Sequence, residues 1–263
     1  ANRCSYCMIP KLRGSFRSRL LESLFKEASE MATRGVREIN LVAQDTSRYG
    51  EDLYGKSCIL DLLEGLCRTG GIEWIRLLYF HPNRLTEAVL DFMDANDEIV
   101  PYLDLPFQHS HPVLLNAMGR NPGEKTPWHV MTMIQNRKRR IHVRTSLMVG
   151  FPGETEEMFE ELCDFVRMAQ FDHLGVFIFS PEKGTAAARL PDQVDGEIAL
   201  ERQARLMKLQ GGISKKINQR MVGRVLPVLV EGESPETELL LTGRTATMAP
   251  DVDGKVLINE GEG

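Results

Sequence analysis

Two cysteines near the start of the chain, Cys4 and Cys7, are separated by two residues. Thiolates at that spacing can grip one metal ion or cycle as a dithiol. A structural zinc site needs two further ligands, and the nearest other cysteine is Cys58. An iron–sulfur cluster needs at least one more cysteine. A redox dithiol usually opens a helix, whereas here Pro10 and Gly14 follow among Lys11, Arg13, Arg17 and Arg19, so the helix is expected to start late. The basic residues are placed to face an acidic or phosphorylated substrate. Cys58, Cys67 and Cys163 sit among Ile59, Leu60, Leu66, Leu162 and Phe165 and read as small buried hydrophobes.

Other polar residues gather where strands are expected to end. Gln44 and Asp45 open QDTSRYG (44–50) and could hold an amine or hydroxyl, or simply cap a turn. Gln108, His109 and His111 lie in LPFQHSHP (105–112), and either histidine is more simply a satisfied loop residue than a metal ligand. Gly150 and Gly153 in VGFPGET (149–155) allow close approach of a ligand to backbone, and the helix after them offers amides to a carboxylate or ribose hydroxyls or starts on an ordinary cap. Arg144, on a strand, needs an anionic partner if it points inward, from a ligand or an ion pair. The run Arg137–Arg140 ends a predicted helix and reads as a solvated face.

These residues need a scaffold, and the hydrophobic periodicity supplies one. Strands are predicted at 36–43, 74–80, 101–105, 142–150 and 173–180. Helices are predicted at 19–34, 56–69, 84–95, 111–118, 126–139, 155–170 and 195–220. Regular alternation makes the fold class α/β with a mainly parallel sheet, an incomplete TIM-type barrel, with a doubly wound sheet as its rival. After about 220 the texture changes to short strands split by Gly, Pro, Asp and Glu, which reads as a small antiparallel β module docked on the α/β body or bridging to a partner. The expected division is 1–220 and 221–263.

Composition narrows the functions. The 263 residues carry 32 Lys+Arg and 37 Asp+Glu, a net charge of -5, which argues against a general nucleic-acid coat. Five cysteines, an odd and uneven set, do not form a secreted disulfide framework. No apolar run approaches the roughly 20 residues of a membrane span. A cytoplasmic protein is expected.

Cys4 and Cys7 with Tyr6 between them, QDTSRYG, YLDLPFQH (102–109), VGFPGETEE (149–157), FSPEKGTAA (179–187) and QRMVGRVLPVLV together resemble the radical S-adenosylmethionine methylthiotransferases. Cys4 and Cys7 match the second and third cysteines of that family's CxxxCxxC motif, and the first would fall immediately before Ala1. The resemblance implies a 4Fe-4S cluster and S-adenosylmethionine, a barrel whose first strand lies ahead of residue 1, and a closing TRAM domain that is truncated here. It also implies a second, auxiliary 4Fe-4S cluster in an amino-terminal domain outside this sequence. Tyr6 is then expected by the adenine, with Phe179 closing the adenine side. Gln44, Asp45, Gln108, Arg144, Gly150 and Gly153 are expected in the cofactor pocket or on the substrate rim.

Within the family the motifs resemble the branch that adds a methylthio group to the β-carbon of an aspartate in a small-subunit ribosomal protein. The resemblance therefore implies that ribosomal protein and an electron donor as partners, with no membrane and no direct tRNA substrate. A monomer is expected. Residues 221–263 hold more acidic than basic residues, which disfavours the tRNA-adenosine branch and suits a basic protein partner. A non-catalytic, metal-bound ribosome-docking module is the alternative from another class. With two of three cysteines, the 263-residue chain alone is expected to be inactive.

Overall fold

The computed structural model describes residues 2–121, 123 and 125–261. Its main sheet contains β1 (Glu38–Leu41), β2 (Trp74–Leu77), β3 (Ile99–Asp104), β4 (His142–Val149) and β5 (His173–Ile178). The strands lie side by side in chain order and every neighbouring pair is parallel. A doubly wound sheet would reverse its order at a switch point. This one never reverses, as a barrel requires, and the described residues leave it open between β5 and β1.

The sidedness of the sheet is clearest on β4. Val143, Thr145, Leu147 and Val149 are buried, while the alternate His142, Arg144, Ser146 and Met148 are half-buried. Period-two alternation puts the first row under the helices and the second on the inner face. The helices are α1 (Ile9–Arg13), α2 (Leu21–Thr33), α3 (Glu51–Tyr54), α4 (Ile59–Cys67), α5 (Glu87–Ala95), α6 (Pro112–Ala117), α7 (Pro127–Gln135), α8 (Glu156–Ala169) and α9 (Gly196–Gln219). Thr86, Thr126, Thr155 and Asp195 cap α5, α7, α8 and α9 by accepting from backbone N–H groups of the first turn. α8 shows why the core holds: Phe159, Leu162, Phe165 and Val166 are fully buried, and Phe165 meets Phe107, Trp128 and Phe171 edge-on.

Two expectations need correction. A helix does follow the cysteines at once: α1 takes Pro10 in its first turn, where proline's missing N–H costs nothing, and stops at Gly14 with φ 74°. The run Arg137–Arg140 is not a solvated face. α7 ends at Gln135, and Arg137 beyond it pairs with Glu87, Asp91 and Asp94 of α5. Arg139 donates to the carbonyls of Met93 and Asn96, and Arg140 pairs with Asp172.

The second sheet is antiparallel: β6 (Leu229–Ser234), β7 (Thr237–Arg244) and β8 (Val256–Ile258), in that order. The loop between β7 and β8 reaches the inner face of the main sheet. There Ala246 and Ala249 pack with Trp74, Leu78, Val100 and Tyr102. A chain of buried charges joins the two sheets. Glu38 takes Arg76 at 2.9 Å on one oxygen and Arg244 at 2.5 Å on the other, and Arg244 continues to Glu231 at 2.6 Å. The fully buried Arg76 also donates to the Ala246 carbonyl at 2.8 Å and lies over the Tyr102 ring. Between β1 and α2 runs a groove of about 560 Å³, lined by Phe16, Leu24, Ala28, Met31 and Ile39.

Candidate active site

The cysteines occupy one tight turn, closed by the Cys7 N–H donating to the Cys4 carbonyl at 3.1 Å. Backbone fixes the turn from two sides. Ser5 donates its N–H to the Met118 carbonyl (2.9 Å) and its hydroxyl to that of Ala117 (2.7 Å), and Ala187 donates to the Ser5 carbonyl (2.9 Å). Gly119 is needed at the end of α6, because with φ 70° an added Cβ would stand 3.0 Å from the Arg3 carbonyl oxygen. Both thiols are half-buried and unbridged. Of the other three, burial pushes Cys67 and Cys163 up to about 11, Glu98 and Glu160 adding to it, and burial raises Cys58 as well.

A cation stands beside the turn. Arg120 holds the Pro106 carbonyl at 2.6 Å and places its other Nη 3.8 Å from Cys4 Sγ, complementing the charge a metal-bound thiolate carries. His81 is close enough to feel that charge. Burial, then Arg120, Arg84 and Arg48, press its imidazole down to about 3, and its buried Nδ1 has no partner. Neither residue stood out in the sequence, since an isolated Arg in AMGRN and a His before Pro82 carry no spacing signal.

Tyr6 lies edge-on to Phe151 at 6.5 Å, and Phe151 meets Phe179 at 5.2 Å. The three join Leu114, Leu115, Met118 and Ala187 in a small apolar cluster under the turn, with Met148 at its margin. Tyr6 and Phe179 are thus brought together through Phe151, with Phe179 itself buried. Burial raises the Tyr6 phenol further than Arg120 can lower it, so it stays protonated.

The remaining predicted residues divide. Asp45 caps a 3-10 turn, accepting from the Ser47 N–H at 3.1 Å and from its hydroxyl, and its second oxygen accepts from Asn2 at 2.8 Å. Gln44 beside it is exposed. Gln108 has φ 71° and extends the sheet by exchanging backbone bonds with Ser146 and Met148. Arg144 finds its anions inside the protein, Asp104 at 3.7 Å and Asp253 at 4.0 Å, which makes it an ion-pair residue of the inner face.

The glycine turn is also committed within the protein, a correction to the expected backbone cradle. The Gly150 N–H donates to Glu154 Oε2 at 2.6 Å and that of Gly153 to the Asp192 carbonyl at 2.9 Å. The close approach that demands glycine at 150 is to α9, since a Cβ there would fall 2.6 Å from Ala199 Cβ. The Thr155 cap takes the start of α8. Glu154 then forms a buried hub: His109 Nε2 lies 3.2 Å from Oε1 and Arg202 2.8 Å from Oε2. His109 Nδ1 accepts from the His111 N–H at 3.0 Å, so the ring donates to Glu154 from Nε2. Its partners are 45 and 48 residues from Glu154, beyond any local pattern.

The cysteine turn fits two thiolate ligands of an iron–sulfur cluster. Among the described residues no group of three or more His, Cys, Asp or Glu could complete a metal site, and the third cysteine expected ahead of Ala1 lies outside them.

Comparison with known proteins sets this geometry in a family. The family model of the radical SAM superfamily matches residues 1–166, and that of the TRAM domain matches residues 222–263. The chain is 48% identical over 262 residues to the ribosomal protein uS12 methylthiotransferase RimO of Syntrophobacter fumaroxidans, covering 100% of this chain and 59% of the relative. It is 47% identical to the RimO of Geobacter sulfurreducens, covering 99% and 58%. The chain thus spans less than two thirds of the length of these curated relatives. Among solved structures, coproporphyrinogen III oxidase (HemN) from Escherichia coli, a radical SAM enzyme, aligns with a TM-score of 0.57 at 16% identity, over 80% of this chain and 50% of that one. The radical S-adenosylmethionine methyltransferase TsrM from Kitasatospora setae aligns with a TM-score of 0.55 at 19% identity, over 68% and 34%. The cysteine turn, the in-order parallel sheet and these matches agree: the chain belongs to the radical SAM superfamily, and its closing segment matches the TRAM domain.

Proposed function

We propose that this chain is the radical SAM barrel and TRAM portion of an enzyme that adds a methylthio group to the β-carbon of an aspartate in a small-subunit ribosomal protein. The observation that carries the reading is the Cys4–Cys7 turn, clamped on both sides and flanked by Arg120, in a chain whose relatives bear that activity in their names. When bound, a 4Fe-4S cluster with S-adenosylmethionine supplies one-electron cleavage of the sulfonium and hence hydrogen abstraction from an unactivated carbon. Cys4 and Cys7 would hold two of the irons, with the third thiolate ahead of Ala1. The backbone clamp fixes the turn, and Arg120 balances its charge. Tyr6, Phe151 and Phe179 give an apolar wall that excludes water. Gln44, in the loop after β1, and Gln108, beyond β3, would meet substrate or cofactor.

Residues 1–220 act as the barrel unit and 221–263 as the TRAM unit. The barrel's expected first strand would lie in the groove along β1, because Asn2 already meets Asp45 just past the carboxyl end of that strand. The auxiliary cluster belongs to a further domain. The substrate is the ribosomal protein itself rather than tRNA, an electron donor is required, and the enzyme works as a cytoplasmic monomer. No helix among the described residues is long and apolar enough to cross a membrane.

Anaerobic iron and sulfide analysis of the chain extended upstream through the missing cysteine tests this, with mass spectrometry of the ribosomal protein. Cluster iron, cleavage of S-adenosylmethionine and an aspartate heavier by one methylthio group are expected. Stoichiometric zinc with no cleavage would sink the reading.

A further inference from the structure

We propose that Asp253, contributed by the TRAM segment, is a positioning residue for Arg144 and His173 on the inner face of the barrel. Its side chain is only 2% exposed although it lies on a connecting loop. One oxygen, Oδ2, accepts from the Tyr102 hydroxyl at 2.7 Å and the Ala249 N–H at 2.8 Å. The other, Oδ1, faces His173 Nδ1 at 3.3 Å and Arg144 Nε at 4.0 Å. Two bonds therefore aim the carboxylate, and its free oxygen is presented to the Arg144 guanidinium and the His173 ring.

Those groups are not closed off. Arg144 and His173 are partners in the β4–β5 register, and their side chains remain 25% and 30% exposed. Each has one side against Asp253 and one side open. The same inner row continues along β4 through Ser146 to Met148, which borders the Tyr6–Phe151–Phe179 cluster. Four residues of strand separate Arg144 from Met148, about 13 Å. A polypeptide reaching the cysteine turn along this face would pass the Arg144–His173 pair.

The charges explain why a fixed anion is needed there. His173 faces Asp253, Arg144 and the Tyr102 ring 6.3 Å away, with Asp104 behind Arg144 at 3.7 Å. Its neighbour Asp172 is taken by His142 and Arg140, each at 2.8 Å. Without Asp253, Arg144 would keep Asp104 at 3.7 Å as its one anionic partner, and His173 Nδ1 would lose the oxygen it faces. The TRAM segment thereby sets the shape of a surface inside the barrel, which goes beyond docking beside it. The contact stands independently of the functional reading, and only its effect on substrate rests on that reading.

The test uses the full-length enzyme, reconstituted anaerobically, with Asp253→Asn and, in case that variant misfolds, Tyr102→Phe, which removes only the hydroxyl that aims the carboxylate. The NMR resonances of the His173 ring and the split between KM and kcat for the ribosomal protein are measured. Asp253→Asn is expected to shift the His173 ring resonances, because the carboxylate charge 3.3 Å from Nδ1 is gone. It should raise KM about tenfold, more than it lowers kcat, with cluster iron at the wild-type level. Tyr102→Phe should move the resonances and KM the same way by less. Unchanged His173 resonances in Asp253→Asn overturn the proposal, and so do shifted resonances with KM and kcat within twofold of wild type. A wild-type enzyme inactive on the ribosomal protein would sink the functional reading alone, and the His173 resonances would then decide this one.

Discussion

The cysteine turn and the TRAM contact are both held in place at the sheet, by opposite means. The turn is fixed almost wholly by neutral backbone hydrogen bonds, to Ala117, Met118 and Ala187, and its two thiols stay half open. The TRAM contact is a closed chain of charges, Glu231–Arg244–Glu38–Arg76, with Arg76, Glu38 and Arg244 no more than 5% exposed. A site that must admit iron and a small cofactor cannot spend its side chains on holding itself together, so backbone does that work. An interface that admits nothing can use side chains fully, at the cost of desolvating them. The difference teaches where substitutions will hurt function and where they will hurt the fold.

The largest expected effect lies at the turn. In the upstream-extended protein, Cys7→Ala should abolish cluster iron and S-adenosylmethionine cleavage while leaving thermal stability near wild type. A large loss of stability would break the contrast. Next comes Glu38→Ala at the interface. It strands the buried Arg76 guanidinium, leaves Arg244 with Glu231 alone, and should cost about 3–5 kcal/mol in chemical denaturation, with cysteine reactivity in the folded protein unaltered.

His81 sharpens the comparison through pH, because it sits on the cationic side of the turn. Its folded pKa of about 3 lies below the ordinary 6.5, so below 6.5 the unfolded chain takes up a proton that the folded chain refuses. Stability is therefore lost as pH falls from 6.5 toward 3, by up to about 1.4 kcal/mol per pH unit. His81→Gln should flatten that slope, measured by denaturation between pH 7 and 4 (roughly one proton's worth). The smallest effect is expected from Thr155→Ala, outside both regions. Loss of the α8 cap should cost about 1 kcal/mol and leave both iron content and the TRAM contact intact.

The elements were legible because their signals are local. The stripe of α8 and the alternation of β4 each repeat within a dozen or so residues, and hydrophobic burial enforces them. Cys4 and Cys7 were legible for the same reason. Pro10 misled because a helix breaker in an interior is a helix starter in a first turn. Arg137 misled because a cluster of charge looks alike whether it faces water or three carboxylates from another helix. The Glu154 hub and the partners of Arg144 could not be read, since His109, Arg202, Asp104 and Asp253 meet them only after the sheet is assembled. At Gly150 a ligand was the expected visitor to the backbone, whereas the close approach there is that of α9 through Ala199.

The ion pair between Glu38 and Arg244 joins residues 206 positions apart. As the chain leaves the ribosome, β1 emerges well before the arginine that completes its buried carboxylate. The edge of the barrel thus waits for a later segment of the chain. The segment joining α9 to β6 is exposed, with Val222 and Val225 almost bare. A protease that nicked it in the finished protein would meet a clasp already shut, and the two pieces would stay together.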